Sequence, residues 1–138
     1  NPLSCAIANA VLNEIVENNL VENAGVVGDY LKKGLEKLAS QLSIIGDVRG
    51  KGLLLAVEVV QDTTTKSIFN TDQRAIYRIS ELGIKNGILL YTRKTSRGEN
   101  GEWLMIAPPL ISTKDHLDDF LSKLCETLKG FEKEQEKR

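Results

Sequence analysis

The chain has little of what marks the commoner chemistries. Among its 138 residues there is one histidine, His116, and there are two cysteines, Cys5 and Cys125. A Ser-His-Asp triad or a Cys-His dyad has little to be built from in such a set. The two cysteines form no CxxC and lie far apart, so neither a zinc site nor a disulfide framework is indicated, and two buried cytosolic thiols are expected. Aromatics are scarce, three Phe, three Tyr and one Trp, and Lys and Arg are scattered without the aromatic interleaving that stacks bases. A net charge of −1 gives no electrostatic case for nucleic acid or an anionic membrane surface. No apolar run approaches the ~20 residues of a membrane span, and no basic segment precedes a shorter one. GKGLLL lacks the third glycine of a dinucleotide fingerprint, and Gly-Lys-Ser or Gly-Lys-Thr does not occur. No metal ligands cluster. The expectation is a cytoplasmic protein with one ordinary core, too short for two comfortable domains. The chain opens at Asn1 rather than at methionine, which suggests a piece of a longer protein.

What is present centres on residues 46–60, GDVRGKGLLLAVEVV. Leu53, Leu54, Leu55, Ala56, Val57, Val59 and Val60, broken only by Glu58, read as a strand buried on both faces or nearly so. Gly50 and Gly52 flank Lys51 ahead of it and suggest a backbone that bends or takes positive φ. Before that stretch lies an uncharged segment, residues 1–13, whose Leu3, Ala6, Ile7, Ala10 and Val11 follow helical spacing, with Pro2 in the first turn and Asn1 as the cap. A helix apolar on nearly all sides is buried on nearly all sides, and so short a chain can hardly cover it. More chain or a second subunit is therefore expected over residues 1–20.

The remaining elements follow in order. A helix over 21–39 has Val27, Leu31, Leu35 and Leu38 as its stripe, and Gly25, Gly28 and Gly34 suggest close packing against a neighbour. Ile44 and Ile45 start a first strand. Asp62 to Lys66 is a polar loop whose threonines could meet an oxyanion, although turn chemistry accounts for them. A helix over 71–86 turns Ala75, Ile76, Ile79 and Leu82 inward and ends at Gly87 in left-handed geometry. Residues 88–91 form a strand, 92–101 a hairpin loop and 103–106 the returning strand, which Pro108 and Pro109 stop. Ser112 or Thr113 caps the last helix, whose Leu117, Phe120, Leu121, Leu124, Leu128 and Phe131 share a face. Residues 132–138 read as a charged tail that frays. The order describes an α+β layer: a small, mostly antiparallel sheet with helices packed on one face. Arg49, Tyr91, Arg93 and Arg97 keep some functional colour, although a surface or turn role is the simpler reading for each. His116, in the first turn of the last helix, reads as a surface residue.

Five stretches in register carry a resemblance: NPLSCAIANAVLNEI, NNLVENAGVVGDYLKKGLEKL, GDVRGKGLLLAVEVVQD, NGILL and IAPPLISTKDHLDDFLSKL. Together they resemble the carboxy-terminal domain of class III pyridoxal-phosphate-dependent aminotransferases, of the omega-amino acid:pyruvate or adenosylmethionine-8-amino-7-oxononanoate type. The resemblance covers essentially the whole chain. It implies the small domain of a fold type I enzyme, normally a homodimer with sites at the subunit interface. Such an enzyme moves an amino group between an amine or omega-amino acid and a keto acid such as pyruvate. It also implies that the lysine carrying pyridoxal 5'-phosphate, the aspartate on its ring nitrogen and most of its phosphate-binding groups belong to a missing amino-terminal large domain. No catalytic, cofactor-binding or metal residue can then be assigned in this chain, and alone it should not catalyse transamination. A stand-alone ligand-binding module or a dimerisation module of the same layering are the rival readings.

The chain also departs from the family pattern. Several relatives place a carboxylate-binding arginine where this chain has Tyr91, or where it has Met105. A bidentate arginine is the usual holder of a planar carboxylate. Arg93, two residues past Tyr91 and so on the same strand face, is the substitute candidate, with Tyr91 beside it as substrate-binding residues.

Overall fold

The first helix forms where its cap and proline put it. In the computed structural model, which describes residues 1–95 and 101–136, α1 spans Pro2–Glu17. Asn1 Oδ1 accepts a hydrogen bond from Leu3 N at 3.0 Å, and Pro2 takes the first helical position, where a missing N–H costs nothing. Asn19, at φ 50°, breaks the run before α2 (Leu20–Ala39) begins. No residue of α1 is buried. Leu3, Ile7, Leu12 and Val16 all stand more than half exposed, so the sheltered helix that the sequence suggests finds no shelter within this chain. Cys5 on α1 is likewise exposed and Cys125 half-buried, against the expectation of two buried thiols; both are free thiols.

α2 buries the expected stripe of Val27, Leu31, Leu35 and Leu38, together with Gly28. Gly28 faces the hairpin that joins β1 (Ile45–Lys51) to β2 (Leu54–Val59), and a Cβ there would lie 2.3 Å from the carbonyl carbon of Gly52. Helix and hairpin thus meet backbone to backbone, which only glycine permits. Gly50 and Gly52 take φ of 131° and 56°, the positive values that the Gly-Lys-Gly pattern suggests. β1 itself reaches through Lys51, so the basic stretch is strand and the turn is confined to Gly52 and Leu53.

α3 (Ala75–Lys85) follows a 3-10 turn at Thr71–Gln73 and buries Ala75, Ile76, Ile79 and Gly83. Its end is a Schellman motif: Gly87, at φ 80°, donates from N to Ile84 O at 3.1 Å, and Ile88 N donates to Gly83 O at 2.9 Å. β3 is Tyr91–Lys94 rather than residues 88–91. It pairs with β4 (Glu102–Ile106) with Tyr91 opposite Met105, and continuing that register would set Ile88 against Pro108, which has no N–H to give. The apolar Ile88, Leu89 and Leu90 therefore lead into the strand without laddering, and Leu89 is 86% exposed.

α4 (Lys114–Gln135) starts in a capping box: Thr113 Oγ1 accepts from His116 N at 3.4 Å, and Thr113 N donates to His116 Nδ1 at 3.3 Å. His116 is therefore a helix cap. Fraying does not begin at Glu132, because α4 continues to Gln135. Glu132 Oε1 accepts from Ser43 N and Oγ, and Glu134 takes the Arg78 guanidinium at 2.6 and 2.8 Å.

The four strands form one antiparallel sheet in the order β1-β2-β4-β3. α2, α3 and α4 cover one face, where Leu55, Val57, Val59, Leu104 and Ile106 join the helix stripes in a single core. This is the α+β architecture expected from the order of elements. β2, however, is not sheltered on both sides. Its residues alternate, with Leu55, Val57 and Val59 at 2% exposure or less and Leu54 at 60%. The strand is apolar but for Glu58, yet only one face is fully buried in this chain.

Candidate functional site

The open face of the sheet is where the candidate residues meet. Cross-strand pairing sets them in rows: Arg49, Ala56, Met105 and Tyr91 stand abreast, and the next row holds Asp47, Glu58, Trp103 and Arg93. A hollow of about 310 Å³ opens beside Tyr91, lined by Leu89, Met105, Ala107 and Pro108 among others. The row across the middle is mostly apolar and the row beyond it mostly charged.

Two arginines occupy opposite edges of this face, and their surroundings differ. Arg49 Nη1 lies 2.7 Å from Asp47 Oδ2, and its other amine lies 3.8 Å from Glu58 Oε1. The hydrogen bond from Arg49, with help from the Val48 N–H and the charge of Lys66, holds the Asp47 carboxyl below its usual range against the opposing effect of burial. Its positive charge is answered within the sheet, which argues against Arg49 as an anchor for an outside anion. Arg93 differs. Its guanidinium carbon lies 5.5 Å from the centre of the Tyr91 ring, and among the described residues no carboxylate pairs with it. Both side chains are exposed. The strand period does bring Tyr91 and Arg93 to one side, and a guanidinium steadied on an aromatic face keeps its fork of N–H donors available to a planar anion.

Other sequence candidates resolve into local structure. Asp62 Oδ1 accepts from Thr64 N at 2.8 Å, Thr65 N at 2.7 Å and Thr65 Oγ1 at 3.0 Å, so the threonine loop is a turn closed on its own aspartate. Arg97 lies outside the described residues. Among the described residues no group of His, Cys, Asp and Glu gathers that could hold a metal, and no helix is long and apolar enough to cross a membrane.

Sequence reasoning missed Trp103 and the Lys94–Glu102 pair. Trp103 sits opposite Arg93 on the open face and donates from Nε1 to Thr95 Oγ1 at 3.1 Å. The alternation of Glu102, Trp103, Leu104, Met105 and Ile106 held that signal, since Leu104 and Ile106 point inward.

A family profile described as Aminotransferase class-III matches residues 1–128. The chain belongs to the class III aminotransferase family. It is 36% identical over 139 residues to the uncharacterized aminotransferase YodT of Bacillus subtilis, a match covering 99% of this chain and 31% of that protein. It is 37% identical over 125 residues to the leucine/methionine racemase of Thermococcus litoralis, covering 90% of this chain and 26% of the relative. Among solved structures, an amine transaminase from an uncultivated Pseudomonas species, determined in a PLP-bound form, superposes with a TM-score of 0.82 at 29% identity, over 94% of this chain and 28% of that one. This class III aminotransferase chain thus spans less than a third of the length of each.

Proposed function

We propose that this chain is the carboxy-terminal small domain of a PLP-dependent transaminase that moves an amino group between an amine or omega-amino acid and a keto acid such as pyruvate. Arg93, steadied by Tyr91, binds the substrate carboxylate. The observation that carries the site is the contrast on the open sheet face between Arg49, neutralised by Asp47 and Glu58, and Arg93, stacked on Tyr91 with no acidic partner among the described residues. A guanidinium–carboxylate pair is charge-assisted and bidentate, which makes it a selective holder of a planar acid.

The open face does not fit PLP as its holder. The glycines in and before the β1–β2 turn that would have to cradle a phosphate are packed from within: a Cβ on Gly50 would lie 2.2 Å from Leu54 O, and Gly52 is pressed against Gly28. The cofactor therefore belongs to the large domain that completes the protein. What this chain supplies is orientation of the substrate acid by Arg93 and an apolar wall from Tyr91, Met105 and Ala56. The bare apolar surface of α1 supports a covering large domain and a homodimer. The free thiols of Cys5 and Cys125 suit a reducing, cytoplasmic setting.

The test uses the complete enzyme, supplied in turn with a carboxylate-bearing donor and a neutral amine, with and without pyruvate. Product formation that requires the keto acid supports transfer. Inversion of an amino acid's configuration without any keto acid would instead assign racemisation, the activity named for the Thermococcus relative. Arg93→Ala should raise KM for the carboxylate donor by about 10- to 100-fold, the value of a charge-assisted hydrogen bond, with little change for the neutral amine. Equal effects on both donors would remove Arg93 from the site.

A further inference from the structure

On the covered side of the sheet, directly behind Arg93, the end of β3 is tied to a buried carboxylate. Lys94 follows Arg93 on a four-residue strand that ladders on one side only, to β4. Its side chain passes to the helix-covered face, where Nζ lies 2.5 Å from Oε1 of Glu102, its cross-strand partner, and 5.0 Å from the centre of the Tyr77 ring. Glu102 is 4% exposed, and its Oε2 accepts a hydrogen bond from Ile76 N at 3.2 Å. Ile76 lies in the first turn of α3, whose N–H groups have no partner inside the helix; the N-cap residue, Arg74, makes no side-chain capping bond. Glu102 fills that role from another strand and meets the positive end of the helix as it does so. One carboxylate thus joins the end of an edge strand, its neighbouring strand and the start of a helix.

We propose that Lys94 and Glu102 are positioning residues that hold Arg93 in its outward, Tyr91-stacked place; this rests on the reading of Arg93 as the carboxylate anchor. Successive residues of a strand point to opposite faces, so locking Lys94 inward fixes the pleat that turns Arg93 outward. A short edge strand opens most readily at its end, and Lys94 is the last residue of β3. The lock is strong because Glu102 would otherwise be a buried carboxylate without its counter-ion. Neither residue reaches the open face, so loss of the lock acts through Arg93 and falls on the binding of an acid.

Steady-state kinetics of the complete enzyme with a carboxylate-bearing donor and a neutral amine provides the test. Lys94→Met should raise KM for the carboxylate donor on the order of tenfold, as a misplaced binding group does, while kcat and the neutral amine's KM stay within about twofold. Glu102→Gln keeps an oxygen to accept from Ile76 N but loses the charge; it should give the same selective rise in smaller measure, and it carries the test if Lys94→Met does not fold. In an Arg93→Ala background neither change should add to the KM rise. Variants that shift both donors alike, or neither, while Arg93→Ala stays selective would overturn the positioning role alone. An unselective Arg93→Ala would overturn the reading of Arg93 beneath it.

Discussion

The two faces of the sheet are written in alternate residues of the same strands, yet they obey different rules. On the inner face Leu55, Val57, Leu104 and Ile106 are closed over by α2, α3 and α4, and each is a core residue whose shape its neighbours fix. On the outer face Ala56, Glu58, Trp103 and Met105 are held in place by the same ladders but are only half-buried rather than enclosed. Order without cover is the arrangement a binding surface needs, because the strands supply the rigidity that a loop would lack. The inner face sets stability, and the outer face carries the proposed binding residues.

Adjacent residues of β4 should separate the two faces most widely. Leu104→Ala empties a fully buried site beneath three helices and should cost about 2–5 kcal/mol, while its neighbour Met105→Ala should cost less than about 1 kcal/mol in this chain; urea unfolding of both checks it. Comparable losses would mean that the outer face is packed after all.

The glycines of α2 offer a second contrast. Gly28→Ala would drive a methyl into the backbone of Gly52 and should destabilise by about 2 kcal/mol or more. Gly25→Ala, three residues earlier with nothing within 4 Å of the added carbon, should stabilise by roughly 0.5–1 kcal/mol through helix propensity. Thermal unfolding of the pair should move in opposite directions.

The smallest effect lies in acid. Asp47 titrates lower in the folded chain than unfolded, chiefly through its hydrogen bond from Arg49, so its contribution is present above its unfolded pKa, near the usual 3.8, and is lost as pH falls through the lower folded value. Arg49→Ala should return the Asp47 pKa toward 3.8 in an NMR titration and flatten the acid limb of the stability curve slightly. Because both side chains are about half exposed, solvent screening keeps the change small. No movement of Asp47 would show that the pair does not persist in solution.

The sequence was a good guide to the helices and a poorer one to the faces of the sheet. α2, α3 and α4 announce themselves because their stripes repeat every three or four residues and their ends carry local signals, Gly87 at one and Thr113 at another. β2 misled because Leu53 to Val60 is apolar on both sides, and nothing within the strand says which side its own chain will cover. β3 misled for a related reason: Ile88, Leu89 and Leu90 look more strand-like than Thr92 and Arg93, but pairing is decided by the partner strand across the hairpin and by the prolines that follow it. That Tyr91 and Arg93 share a side followed from strand period alone. The pairing of Arg49 with Glu58 and of Lys94 with Glu102 did not, because each depends on cross-strand register, which local pattern does not encode.

The contact between Gly28 and Gly52 has a mechanical consequence. Where two backbones touch with no side chain between them, there is no rotamer to turn aside and take up a displacement. A displacement of α2 at Gly28 therefore meets the β1–β2 hairpin directly. α1 leads into the start of α2, so a load placed on that bare helix would bear on the same contact.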